Sequence, residues 1–221
     1  SGVCHTQLDN IEGNYGEDPY LPHLVGHEGA GVVEAIGSGV THVAPGDHVI
    51  LSWIKGPGIS AKLPKYHKGD QVINAGFATT FNEYTIASEN CVTKIRKDIP
   101  FDVASLIGCA VPTGVGAVIN ESKVEPGSTV AVFGAGGIGL NIIQGAALVS
   151  PLKIIAVDIL DHKLDFARKF GATDVINAKN EDPVEKIKEL TDGNGVDYAF
   201  ESAGRKDTME KAYQCLCNTG L

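Results

Sequence analysis

The chain has no cluster of basic residues. It carries 18 Lys and Arg against 27 Asp and Glu, a net charge of −9. That balance excludes the electrostatic footprint of a nucleic-acid binder. No apolar run approaches the length needed to cross a bilayer, and no charged-then-apolar leader is visible, so no membrane partner is expected. The five cysteines are odd in number and scattered. They do not form a disulfide framework, and a reducing cytoplasm is the expected compartment. Internal repeats and low-complexity tracts are also lacking.

Glycine, in contrast, is abundant at 27 of 221 residues. The length suits one large domain or two small ones and can bury a substantial core. Ser1 stands where a Met would open a chain, and the sequence stops at a turn, which predicts an internal segment of a longer protein. Gly31 to Gly37 and His48 to Leu51 read as short strands, the second preceded by the turn Pro45-Gly46-Asp47. Tyr84-Thr85-Ile86 and Cys91 to Ile95 continue the pattern, predicting a partly closed β-barrel or sandwich. Residues 55–72, rich in Lys and punctuated by Gly and Pro, read as an exposed loop. The pattern changes near Phe101. Residues 103–120 look helical, and strands at 128–133, 153–158, 173–177 and 196–201 then alternate with helices at 137–149, 162–170 and 182–191. That alternation predicts βαβ units around a parallel sheet. Cys215 and Cys217 fall on a further predicted helix and read as structural, as does Cys91.

Gly134, Gly136 and Gly139 form G-x-G-x-x-G between an apolar strand and a helix. Gly134 permits the tight turn, Gly136 admits a pyrophosphate to the backbone, and Gly139 lets the helix pack on the strand. Gly137 and Ile138, in the same turn, would offer N–H groups to the anion. Asp158 ends the next strand, 19 residues past Gly139, where an acidic residue binds ribose hydroxyls. Its charge would repel a 2′-phosphate, so NAD is expected rather than NADP, with Lys163 close enough to help hold the ribose.

Cys4, His27 and Cys109 are the residue types that bind zinc, and two thiolates with one imidazole leave a fourth position open. Their spacing is too wide for a local motif. On spacing alone, two buried thiols and a core histidine account for them better than a metal site does.

The residues Gly2-Val3-Cys4-His5-Thr6, Gly26-His27-Glu28-Gly29-Ala30-Gly31, Pro45-Gly46-Asp47-His48-Val49, Gly108-Cys109, Pro112-Thr113-Gly114, Gly134 to Gly139 and Gly204 to Met209 resemble the zinc-containing medium-chain alcohol dehydrogenases, nearly end to end. The resemblance implies a GroES-like β-barrel-type catalytic domain over residues 1–100, followed by a Rossmann doubly wound parallel sheet over residues 101–221, both incomplete. It implies that Cys4, His27 and Cys109 hold one catalytic zinc, with Glu28 behind it. Thr6 would pass on the alcohol proton and His5 would contact the pyrophosphate. Thr113 would pack on the nicotinamide, Arg205 would lie near the adenosine, and Trp53 would wall the substrate pocket beside Thr6.

Three departures from the family pattern stand out. No cysteine lies in residues 55–72, so the structural zinc many members carry is expected to be missing. Asp9 stands where the family's proton relay often ends in histidine, and reads either as an acceptor or as a solvated loop carboxylate. Gln7 stands where an acidic residue often orients the ligand histidine. Its amide oxygen could accept that N–H, while raising ring basicity less. The implied activity is reversible oxidation of a small primary alcohol to an aldehyde, with hydride passing to NAD, in a homodimer or homotetramer. The alternatives are a zinc-free relative of the quinone-reductase kind and a non-catalytic dinucleotide-binding protein.

Overall fold

The computed structural model describes residues 1–221, which form two compact units, Ser1–Cys109 and Ala110–Leu221. No single helix is long and apolar enough to cross a membrane.

The first unit opens with helix α1 (His5–Glu12), which Gly13 terminates in the left-handed region at φ 74°. Strands β1 (Glu28–Val32), β2 (His48–Ser52) and, later, β5 (Val92–Lys94) form an antiparallel sheet in the order β1-β2-β5. The register runs from Glu28 opposite Ser52 to Val32 opposite His48. The strand expected to reach Gly37 therefore stops at Val32. Beyond that point the Val33 N–H donates to the Asp47 carbonyl at 2.9 Å and accepts at its own carbonyl from Gly46, closing the Pro45-Gly46-Asp47 turn.

Residues 55–72 are largely exposed but not without order. Strands β3 (Lys65–Lys68) and β4 (Gln71–Asn74) pair across the two-residue turn Gly69-Asp70, with Gly69 at φ 60°. Tyr84-Thr85-Ile86 forms no strand. Side chains serve that segment instead: the Ile86 N–H donates to the Tyr66 hydroxyl at 2.8 Å, and the Thr85 hydroxyl pairs with Thr79. His48 opens β2, with its ring 4.7 Å from that of Phe101.

The stretch expected to be one helix, 103–120, is broken. Helix α2 (Phe101–Ala104) passes into a 3₁₀ turn (Ser105–Gly108). Cys109 then takes φ −140° and ψ −77°, before α3 (Ala110–Gly116) and a π-turn (Ala117–Glu121). The break has a steric cause. A side chain at Gly108 would strike the Leu51 carbonyl and the Glu28 Cβ, so at this point the chain can approach the sheet only through glycine.

In the second unit β6 (Thr129–Phe133) leads through a tight turn to α4 (Gly137–Leu148) and then to β7 (Lys153–Asp158). Helix α5 (Asp161–Lys169), β8 (Asp174–Asn177), α6 (Pro183–Leu190), β9 (Tyr198–Glu201) and α7 (Lys206–Gln214) follow. The four strands are parallel in the order β8-β7-β6-β9. Successive strand residues point to opposite faces, and both faces are covered. Val130, Val132, Ile154 and Ala156 pack with Ile142, Ile143 and Ala146 of α4. Ala131, Phe133, Ile155 and Val157 pack with Val184 and Ile187 of α6 and Ala212 of α7. This two-sided burial explains why β6 and β7 read as unbroken apolar runs.

Local signals set the helix ends. The Asp182 carboxylate caps α6 by accepting from Val184 and Glu185, with Pro183 in the first turn. Helix α7 ends at Gln214, so Cys215 and Cys217 are not helical as expected. Cys215 is the C-cap, buried in the core, and its carbonyl accepts from the Val196 N–H while the Cys217 N–H donates back to Val196. That pairing pulls the chain away from the helix.

Glu89 joins three stretches of the first unit. Its buried carboxylate accepts backbone N–H bonds from Thr41 at 2.6 Å, His42 at 2.8 Å and Ile59 at 2.9 Å. These bonds, Thr41 first, hold its pKa at about 2 against an ordinary value of 4.5. The folded pKa is depressed, so the stabilisation is full above about pH 4.5 and is lost as pH falls toward 2. Glu89→Gln is expected to lower the denaturation midpoint of the first unit at pH 6, with the gap to the parent narrowing at pH 3. Urea titrations of both proteins at the two pH values measure this. An equal gap at both would show that the charge contributes nothing.

Candidate functional site

Three backbone features of the first unit bring the soft ligands together. Cys4 is the N-cap of α1, extended at φ −101° and ψ 153°. His27 follows Gly26, which sits at φ 94° with Thr80 and Phe81 so close that no side chain fits. Cys109 occupies the break after Gly108. The Cys4 and Cys109 sulfurs and a His27 ring nitrogen all lie within 4.8 Å of one another. The Nε2 of His27 is 3.1 Å from the Cys109 sulfur.

The charge state of this group shows what it suits. Burial, then the Cys4 sulfur and the Glu28 carboxylate, push the Cys109 thiol up to about 12, while the Trp53 indole N–H acts in the opposite direction. Burial also lowers the His27 pKa. Left to themselves, the Cys109 thiol and the His27 ring are neutral. A divalent cation supplies the positive charge that makes two adjacent thiolates tenable, and the Cys, Cys, His donor set is soft enough for zinc. The residues therefore fit the metal.

The neighbouring residues take defined places. Glu28, 3% exposed, opens β1 directly after His27. The Thr6 hydroxyl, in the first turn of α1, lies 3.7 Å from the Cys4 sulfur. Trp53 follows β2, is 55% exposed and reaches toward the Cys109 sulfur. The His5 ring is exposed, with Nε2 3.7 Å from Asp9. Asp9 belongs to α1 rather than to a loop, and it accepts from Asn14 at 2.9 Å and the Tyr15 hydroxyl at 3.2 Å. The Gln7 amide lies against His27, but with Nε2 rather than the expected oxygen facing Nδ1, at 2.6 Å.

In the second unit the β6-to-α4 turn carries three glycines with different reasons to be glycine. Gly134 is at φ 94° with Ala203 and Ser202 close by, and a side chain on Gly139 would run into the Gly134 carbonyl. Gly136 has ordinary dihedrals (φ −87°, ψ −165°), and a Cβ there would meet nothing within 4 Å. The fold does not require that glycine, and the space above it suits a ligand that must touch the backbone. Asp158, 9% exposed, ends β7. Its Oδ2 accepts from Ala135 at 2.8 Å, and its Oδ1 accepts from Ile159 at 2.7 Å and Leu160 at 3.1 Å. A carboxylate has about four acceptor sites, so one remains for a ribose hydroxyl. The turn lies where the strand order reverses, between β7 and β9, the position at which open α/β sheets bind ligands.

Gly137 and Ile138 form the first turn of α4, Lys163 lies on α5, and Thr113 lies on α3. Arg205 is the N-cap of α7, its guanidinium paired with Asp207 at 2.9 Å. Ser202 escapes the sequence reading. Its hydroxyl reaches the carbonyls of Phe133 and Gly134 at 3.1 and 2.9 Å and fixes the turn from the next strand. Its only signal is a small polar residue just past β9.

Comparison with known proteins agrees with both units. The family described as "Alcohol dehydrogenase GroES-like domain" matches residues 1–97, and the family described as "Zinc-binding dehydrogenase" matches residues 137–221. A pea protein named alcohol dehydrogenase class-3 is 40% identical, and the match covers 100% of this chain and 65% of the pea protein. The chain therefore spans less than two thirds of that relative's length. The crystal structure of benzyl alcohol dehydrogenase from Acinetobacter calcoaceticus superposes with a TM-score of 0.87 at 35% identity, covering 100% of this chain and 66% of that one. An alcohol dehydrogenase from the archaeon Aeropyrum pernix gives a TM-score of 0.81 at 31% identity, covering 100% and 67% respectively.

The contrast between the glycines generates a test. Gly136→Ala should leave the melting temperature close to the parent's, as for a surface change within about 0.5 kcal/mol, yet weaken NAD binding by about tenfold or more. Gly139→Ala should destabilise by about 1–3 kcal/mol through overpacking. Calorimetric melting and NAD titration separate the two. Unchanged NAD affinity in the Gly136 variant would remove the cofactor from this turn.

Proposed function

This chain belongs to the zinc-containing medium-chain alcohol dehydrogenase family, and on that premise we propose that it oxidises a small primary alcohol reversibly to the aldehyde, with hydride passing to NAD. The observation that carries the reading is the convergence of the Cys4, His27 and Cys109 ligand atoms within 4.8 Å. Residues 1–100 form the zinc domain and residues 101–221 the NAD-binding domain on this reading. When bound, zinc supplies Lewis acidity to the alcohol oxygen, and NAD supplies the hydride acceptor.

The chain's own residues do the rest. Cys4, His27 and Cys109 hold the metal, and Glu28 tunes the charge behind it. Thr6 accepts the alcohol's proton at its hydroxyl and passes it on. Trp53 walls the pocket, and its indole limits the size of the alcohol that fits. In the second unit Gly134 to Gly139 seat the pyrophosphate, Asp158 and Lys163 hold the ribose, Thr113 packs on the nicotinamide and Arg205 flanks the adenosine. The anionic Asp158, already holding three backbone N–H groups, favours NAD over its 2′-phosphorylated form. Retention of all three metal ligands disfavours the zinc-free quinone-reductase reading. A homodimer or homotetramer in the cytoplasm is the expected setting, and the substrate panel includes benzyl alcohol because a relative's name carries it.

The test is a metal count on the purified protein with an alcohol panel read by NADH absorbance. About one zinc per chain is expected, because four cysteines for a second site are lacking in residues 55–72. Cys109→Ser should lose the metal. Thr6→Val should lower the oxidation rate about 10²- to 10⁴-fold, as for loss of a positioned proton acceptor, and Thr6→Ser should retain most of it. Full activity in the Cys109 variant, or an unaltered rate in Thr6→Val, would overturn the corresponding part.

A further inference from the structure

Gln7 touches two of the three metal ligands with one amide. It is 4% exposed, its Nε2 lies 2.6 Å from His27 Nδ1, and its Oε1 accepts the Cys4 backbone N–H at 3.3 Å. An amide offers one donor end and one acceptor end. With the amide donating, Nδ1 is an acceptor, and the ring proton sits on Nε2, directed at the Cys109 sulfur 3.1 Å away. Every group is satisfied in that arrangement.

A metal held by the sulfurs and Nε2 reverses the requirement. Nε2 must be unprotonated to ligate, so the proton moves to Nδ1, which becomes a donor. Gln7 then faces two donors, Nδ1–H and the Cys4 N–H, with a single oxygen. Turned one way, it meets the ring and sets its NH2 against the Cys4 N–H. Turned the other way, it meets Cys4 and sets its NH2 against the ring. The oxygen could accept twice, but the two donors lie at opposite ends of the amide, so either orientation sets the NH2 against one of them, and the buried position leaves little room for water to intervene. A carboxylate in the same place would accept from both.

We infer that Gln7 is a positioning residue that favours the metal-free arrangement and holds zinc affinity below what this ligand set can reach. The inference rests on the zinc reading of Cys4, His27 and Cys109 and deepens it, making metal occupancy a tunable property of the site.

Zinc affinity by chelator competition tests it, in the parent and in Gln7→Glu and Gln7→Leu. Partners of ligating histidines are worth 10- to 100-fold in metal affinity. Gln7→Glu should therefore bind zinc about 10- to 100-fold more tightly, and the gain should persist in about 1 M salt, where long-range attraction is screened. Gln7→Leu removes the bonds of both states and should bind zinc no more weakly than the parent. Histidine ring nitrogen shifts in metal-free protein give an independent reading, with the His27 proton on Nε2 in the parent and on Nδ1 in Gln7→Glu. A Gln7→Leu variant weakened tenfold or more, a Gln7→Glu variant no tighter than the parent, or an Nδ1–H in the metal-free parent would each overturn the inference. A parent protein that takes up no zinc would refute the zinc reading and the inference together. Zinc uptake with an unresponsive Gln7→Glu would refute the inference alone.

Discussion

Two sulfurs and an imidazole packed together, Cys109 buried and Cys4 and His27 half-buried, make a charge problem that the protein alone does not solve. The groups acting most strongly to raise the Cys109 pKa, after burial itself, are another sulfur and a carboxylate, and the opposing group named beside them is one neutral indole N–H. In such surroundings a thiolate is unstable without a cation. The backbone nevertheless goes to some length to create them. Gly26 takes a left-handed conformation against Thr80 and Phe81, and the helix expected over 103–120 is interrupted so that Gly108 can pass the sheet. Devices of this kind have no use in a site meant only to bury two thiols, and they are intelligible once a divalent ion is counted among the groups to be satisfied.

The second unit reaches its conclusion independently. Its sheet is buried on both faces, which fixes β6 and aims the following turn beyond the carboxyl ends of the strands. There Gly134 and Gly139 are demanded by the fold itself, while Gly136 is demanded by nothing the chain contains. At the head of α4, where backbone N–H groups face outward, the open space at Gly136 leaves room for an anionic ligand to approach the backbone. The Asp158 carboxylate, with three backbone N–H bonds already accepted, adds directionality, because its one remaining acceptor site suits a hydroxyl and its charge repels a phosphate.

Much of this was legible in the sequence, for identifiable reasons. The alternating second unit was readable because two-sided burial yields unbroken apolar strands and caps such as Asp182-Pro183 leave clear signatures. The errors fall where long-range contacts override local preference. Val33 to Gly37 carries strand-forming residues, but β2 begins at His48 and offers no partner further on. Residues 103–120 have helical composition, but the sheet they press against allows only a glycine at one point. The Cys215 segment left its helix to pair with Val196, a contact that periodicity does not encode. At the metal group the residue types were visible and the convergence was not, since ligands so far apart in sequence meet only through the fold. Gln7 was noticed as a departure, yet which end of its amide faces the ring depends on the competing Cys4 N–H, and only the structure shows that competitor.

That competition ties metal retention to chemistry on the zinc reading. A carboxylate behind the ligand histidine would satisfy both donors and add a negative charge to the group, strengthening the hold on the ion while reducing its pull on a substrate oxygen. The neutral amide does the reverse. With Cys4 and Cys109 as thiolates and Gln7 uncharged, the first charges met by a divalent ion sum to zero before Glu28 is counted, so more of its polarising power remains for the fourth position. Affinity and electrophilicity therefore oppose each other at this one residue. On the same reading Glu28, buried next to His27 in the chain and close enough to act on Cys109, is the remaining negative charge near the ion.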